Sequence, residues 1–197
     1  MRKKFLIILI LPVLFCSCSF YEPTFPEVVA INFFSTGIKT SGYGVVFEDA
    51  ILTVAHIFGD KYEKNAVCTI IHTNGISYQS ELIFIDYTSD LALVSNKAGG
   101  KNPSLTASRS ALYVYCDDKY IKTDSSSRVK CVLPRKPEVL LKLNASVEYG
   151  ASGSPVINGK GDLAGIICAK SPDGKYAYAV PADVIEEFTD KYRYSTK

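Results

Sequence analysis

"GASGSPVINGKGDLAGI", from Gly150 to Ile166, surrounds one serine, Ser152, with glycines and a proline, so that little except backbone flanks its hydroxyl. Such a stretch has a plain structural use. Glycine takes up positive φ without steric cost, and Gly and Pro mark tight reversals between strands. The other reading is that the turn exists to present Ser152 as a nucleophile. The residues around it decide between the two.

Outward from this turn, the chain is a succession of short β-rich runs separated by turn residues. "VVAINFFS" reads as the first strand. It is followed by eleven further runs, among them "GYGVVFED", "AILTVAH", "AVCTIIHTNG", "LALVS", "ALYVYC", "RVKCVLP", "EVLLKLNA" and "YAYAVP". With 13 Tyr and 10 Phe, this spacing argues an all-β sandwich or pair of barrels rather than βαβ units. Only "PADVIEEFTDKYRY" reads as a helix, with Pro181 in its opening turn and Val184, Ile185 and Phe188 on one side.

The 197 residues, 47% hydrophobic and 21% charged, are ordinary for a globular protein with one good core or two small ones. The formal charge of +2 depends on Arg2, Lys3 and Lys4; without them 19 basic residues face 20 acidic ones. A near-neutral body with no Lys/Arg stripe gives nucleic acid no electrostatic footing. Those three cations precede "FLIILILPVLF", an uncharged run of 11 residues, too short for a membrane span of about 20 but suited to the core of an export signal. "FCSC", Phe15 to Cys18, follows, and "SFYEPTFPE" after it reads as an extended tether, about 30 Å at most.

Cys68, Cys116, Cys131 and Cys168 remain in the body, an even number in a chain expected outside the cytoplasm, and four cysteines allow three pairings. Cys116 and Cys131 flank a polar stretch, "DDKYIKTDSSSRVK", read as a loop that a Cys116–Cys131 disulfide would constrain. Cys68 and Cys168 lie in apolar runs and read as small buried side chains. No cysteine or histidine spacing suggests a metal site, and none is expected.

Three residue types supply nucleophilic chemistry in order along the chain. "ILTVAH" ends in His56, "SDLALVS" carries Asp90 ahead of an apolar run, and the glycine turn holds Ser152. A serine hydroxyl needs a base to take its proton during attack, and that base needs a partner to fix its tautomer. Asp86 is the rival acid. His72, in "IIHTNG", reads as a surface or strand-end residue, and Ser125 to Ser127 as a solvated loop.

The motifs "SGYGVVFEDAILTVAH", "DLALV", "GASGSPV", "LAGI" and "YAVPADVI" together resemble those of chymotrypsin-fold, trypsin-like serine endopeptidases, in particular the Deg/HtrA group of envelope proteases. The resemblance covers roughly residues 28 to 188. It implies a chymotrypsin-like double six-stranded β-barrel with a C-terminal helix, occupying residues 28–197 with a boundary near 100–110. His56, Asp90 and Ser152 would be catalytic, and the N–H groups of Gly150 and Ser152 would form the oxyanion hole. A protein or peptide substrate is implied, and no cofactor. The pocket, carried over position by position, falls on Ser146 at its base and on Cys168, Ala169, Lys170 and Tyr176 at its walls. These argue for small or medium aliphatic side chains before the cut and against Lys, Arg or Glu.

The sequence also departs from the family pattern. Ala151 stands where trypsin-type zymogens carry the Asp that pairs with a new N-terminus, so activation by that route is not expected. Ser154 stands where the Deg/HtrA pattern has Gly, and it is tolerated if its φ is negative. "FCSC" is similar to a bacterial lipobox, which implies a leader over 1–17, a lipid on Cys18, a tether over 18–27 and an extracytoplasmic, membrane-anchored protein. Cys16, plain cleavage and an uncleaved anchor are the alternatives. The chain ends nine residues after Phe188, so no peptide-binding PDZ domain is expected within it. The competing functional reading is an inactive lipoprotein that uses the protease fold to bind protein or peptide.

Overall fold

Short β-rich runs broken by turn residues form thirteen strands, followed by one α-helix, in a computed structural model that describes residues 25–35, 37–59, 66–100, 102–108, 110–123, 126–132 and 134–195. The leader, Cys16, Cys18 and the tether up to residue 24 lie outside the described residues.

The first six strands are β1 (Val28–Ser35), β2 (Ile38–Phe47), β3 (Ala50–Val54), β4 (Val67–His72), β5 (Ser77–Asp86) and β6 (Leu91–Ser95). They close into a barrel in the order β1-β2-β3-β6-β5-β4, every neighbouring pair in it antiparallel. β3 is buried throughout, as "AILTV" suggests. His72 does end a strand, but it is not a surface residue. It is 3% exposed, with Nδ1 2.6 Å from a Glu27 carboxylate oxygen and Nε2 3.2 Å from the Tyr78 hydroxyl.

The second unit contains β7 (Tyr113–Cys116), β8 (Lys119–Lys122), β9 (Ser126–Lys130), β10 (Val139–Leu143), β11 (Pro155–Ile157), β12 (Leu163–Lys170) and β13 (Ala177–Pro181). Their order is β8-β7-β11-β12-β13-β10-β9, so the sheet has seven strands where six were expected. The extra strand comes from the run 119–130, which is split in two. Because only residues 123–125 separate β8 from β9, the sheet's two edges lie within about 14 Å of each other. Seven flat strands would hold those edges about 29 Å apart, so the sheet must curl round on itself.

This run also corrects two readings of the sequence. The stretch between Cys116 and Cys131 carries strands β8 and β9 rather than a loop, and Ser126 and Ser127 are strand residues. No Cys116–Cys131 disulfide forms; all four body cysteines are free thiols. Cys116 is buried in the core of the second unit, whereas Cys131 packs against the other core cluster, so the two do not meet.

The larger core does not stop at the first barrel. It joins Ile31, Leu52 and Phe58 to Ile157, Ile166 and Val180 of the second unit. Helix α1 (Ala182–Ser195) spans the same seam, burying Ile185 and Phe188, with Phe188 and Tyr192 stacked 5.3 and 5.6 Å from Phe84 of β5. A backbone bond fastens the two units as well. The Tyr43 N–H donates to the Ser152 carbonyl at 2.8 Å across the seam, and within the first barrel the Thr53 hydroxyl holds the Tyr43 carbonyl at 2.6 Å.

That seam depends on Gly153. It sits at φ +88°, and a Cβ there would lie 1.8 Å from the Tyr43 carbonyl oxygen, which is backbone and cannot swing aside. Gly153→Ala combines a left-handed conformation with this clash, and we expect it to destabilise the fold by about 3 kcal/mol or more. Urea unfolding of the variant beside wild type measures this, and a loss below about 1 kcal/mol would mean that the turn relaxes away from Tyr43.

Candidate active site

Register brings the first two candidate side chains, His56 and Asp90, together. β3 pairs with β6 so that Val54 faces Leu91, which makes the residue after β3 and the residue before β6 neighbours. The Ala55 N–H accordingly donates to the Asp90 carbonyl at 3.1 Å. The chain then turns through one 3-10 turn, Ala55–Phe58, which swings His56 over the Asp90 carboxylate. Asp90 has φ +55°, a left-handed conformation that Asp adopts more readily than most residues and that closes the turn ahead of β6.

The Asp90 carboxylate is held from several sides. The His56 backbone N–H donates to Oδ1 at 3.0 Å, and His56 Nδ1 lies 3.0 and 2.9 Å from Oδ1 and Oδ2. Asp90 is 2% exposed, so these partners replace the water that burial removes. The opposite ring nitrogen, Nε2, lies 2.9 Å from Ser152 Oγ. Asp86, the rival acid, instead accepts from the Thr88 N–H at 2.8 Å and from Lys191 at 3.1 Å. These bonds hold its carboxyl below the usual range in spite of partial burial, which acts in the opposite direction.

The glycine turn supplies the third side chain. Gly150 sits at φ +95° and Gly153 at φ +88°, and Ser152 lies between them. Within the turn, the N–H groups of Gly153 and Ser154 donate to Ile167 at 2.8 Å and to Ala151 at 3.0 Å. Those of Gly150 and Ser152 donate to no group among the described residues. Ser154 is not among the residues with positive φ, which satisfies the condition set for a side chain there.

A cavity of about 320 Å³ opens beside Ser152, lined by Val147, Gly150, Ala151, Ile167, Ala169 and Lys170 among others. Of the expected pocket residues, the wall residues Ala169 and Lys170 line it, while Ser146, expected at the base, and Cys168 and Tyr176, expected in the walls, do not. Ser146 is exposed. Cys168 points into the core, where burial pushes its thiol up to about 12. The Tyr176 ring lies under Lys142, whose Nζ is 3.6 Å from its centroid. Lys170 does not leave a bare charge in the cavity, because its Nζ is 3.4 Å from the Val147 carbonyl and 3.6 Å from the centre of the Tyr149 ring.

Sequence reasoning missed one residue of this site. Lys136, from the loop between β9 and β10, donates through Nζ to Asp90 Oδ2 and, at 3.1 Å, to the Cys168 carbonyl. Its partner is 46 positions away, and "LPRKPE" carries no motif or period that would single it out.

A closed barrel and a curled sheet, joined by a seam at which His56, Asp90 and Ser152 meet, define a chymotrypsin-like fold. The match to the trypsin-like peptidase domain over residues 40–166, more than half the chain, places the protein in that family. It is 27% identical over 164 residues to Serine protease HTRA1 of Xenopus laevis, covering 75% of this chain and 35% of that protein. With Serine protease HTRA4 of Homo sapiens it is 23% identical over 168 residues, covering 77% and 34%. The chain thus spans about a third of the length of these curated relatives.

Among solved structures, it superposes on the HtrA-type protease AlgW with tripeptide at TM-score 0.69 and 17% identity, covering 85% of this chain and 60% of that one. The active form of the Rv3671c protease from M. tuberculosis gives TM-score 0.68 at 17% identity, covering 84% and 80%. At these identities the likeness shows the fold.

Proposed function

We propose that the chain is a serine endopeptidase that cuts proteins through His56, Asp90 and Ser152. Ser152 Oγ attacks the scissile carbonyl while His56 Nε2 takes its proton and then returns it to the leaving amine; water repeats the cycle on the acyl-enzyme. Asp90 holds the imidazole with Nδ1 protonated and offsets the positive charge that forms on it. The unengaged N–H groups of Gly150 and Ser152 receive the oxyanion. The observation that carries this reading is the 2.9 Å approach of Nε2 to Oγ, with the other ring nitrogen on a buried carboxylate. A binding module built on the same fold would not require that alignment.

The substrate side chain before the cut would enter the cavity beside Ser152. Val147, Ile167 and Ala169 offer it apolar contact, and Lys170 is already engaged by Val147 and Tyr149. These features support small or medium aliphatic residues. The lipobox-like "FCSC" supports a lipid on Cys18 that tethers the enzyme outside the cytoplasm, close to membrane-proximal substrates.

Each part has its own measurement. A fluorescent fluorophosphonate should label the wild-type protein and leave Ser152→Ala unlabelled, and Asp90→Asn should slow the reaction by about 10⁴-fold through loss of the reactive tautomer. An unlabelled, folded wild type would sink the catalytic reading unless relieving a restraint elsewhere in the site restores labelling. In a peptide library, kcat/KM with Ala or Val before the cut should exceed that with Lys, Arg or Glu by about tenfold or more, given the cost of burying an unpaired charge. Preference for a charged residue would refute the assigned pocket. Finally, Cys18→Ala should move the protein from the membrane to the soluble fraction, and unchanged partitioning would rule out the Cys18 anchor.

A further inference from the structure

Lys136 occupies a place where the proposed mechanism has no use for a cation. Its side chain is 14% exposed, and its ammonium is shared among Asp90 Oδ2, the Cys168 carbonyl at 3.1 Å and His56 Nδ1 at 3.2 Å. The loop that carries it is fixed close by. Arg135, at φ +59°, sets its guanidinium 5.8 Å from the centre of the Tyr87 ring, three residues ahead of Asp90, and Pro137 is buried. A loop of the second unit therefore delivers a positive charge to the acid of the first.

Two consequences follow from elementary chemistry. The Lys136 ammonium has only protons to donate, so when it bonds to Nδ1 that nitrogen must be the acceptor and the ring proton must sit on Nε2. A ring protonated at Nε2 cannot take the proton of Ser152. When Nδ1 instead donates to Asp90, Lys136 still shares the carboxylate, and a positive charge next to the ring opposes the imidazolium that the attack creates. Both arrangements weaken His56 as a base.

We propose that Lys136 is a built-in restraint on the triad: it binds Asp90 and His56 Nδ1 from the β9–β10 loop and keeps the resting enzyme slow. It is a positioning residue that acts through Asp90 and His56, and the proposal rests on their catalytic reading. The geometry gives an unusual sign, because removing a residue in contact with the triad increases the reaction rate. Lys136→Met removes the charge, Lys136→Gln removes it while leaving Asp90 a hydrogen-bond donor and so protecting the fold, and Lys136→Arg keeps it.

The test is the second-order rate of fluorophosphonate labelling of the full chain, with thermal unfolding of each variant run alongside. The Met and Gln variants should react about tenfold or more faster than wild type, and Arg should stay within about threefold of it. Adding Ser152→Ala to either fast variant should abolish labelling, which places the gain at Ser152. A merely structural Lys136 would give slower variants, so folded Met or Gln variants reacting at or below the wild-type rate would overturn the proposal while leaving the triad intact. If wild type is silent and the Gln variant labels, both readings are supported. If wild type and the folded Gln variant are both unlabelled, the catalytic reading fails and this proposal fails with it.

Discussion

The seam between the two units depends on one close approach of backbone to backbone. The Ser152 carbonyl accepts from the Tyr43 N–H, and Gly153 presses so close to the Tyr43 carbonyl that no side chain fits between them. Thr53 satisfies the same carbonyl from β3, the strand that runs into His56. Ser152 is thus tied, through one residue of β2, to the strand that runs into His56. A shift of the glycine turn would move Ser152 and open the seam together, so the fold and the site share one constraint.

The parts of the site visible in the sequence are those fixed by local geometry. "ILTVAH" and "DLALV" point to each other because β3 and β6 are short, apolar and paired in a register that leaves His56 and Asp90 at adjoining ends. The glycine turn is visible because positive φ and close approach exclude most other residues. The first barrel and the helix were legible for similar reasons, since burial alternates along β1 from Val29 to Phe34 and α1 has a single apolar side.

What stayed hidden depends on contacts between segments that carry little pattern of their own. β8 and β9, with "KYIK" and "SSRVK", are polar edge strands without a fully buried residue, so the stretch that holds them reads as loop, although "RVKCVLP" overlaps the end of β9. That misreading made a Cys116–Cys131 bridge look useful, although the two thiols belong to different core clusters. The pocket walls were lost for another reason. The β12–β13 pairing shifts register between Ile167 and Ala169, which breaks the regular alternation that position counting assumes. Cys168 therefore faces the core, while Ala169 and Lys170 line the cavity beside Ser152.

Ser154 shows how narrowly the turn is specified. Its N–H donates to Ala151 within the glycine turn and its carbonyl accepts from Ile167 of β12, so both of its backbone groups are bonded. Its hydroxyl, by contrast, is buried with no hydrogen-bond partner among the described residues. An unsatisfied buried hydroxyl costs about 1–3 kcal/mol, so this side chain opposes the stability of the turn it belongs to. Gly153, one position earlier, could not carry such a side chain at all, because there the conflict is with the Tyr43 backbone across the seam. The turn can absorb an imperfect side chain where only solvation is lost, but not where a Cβ would separate the two units.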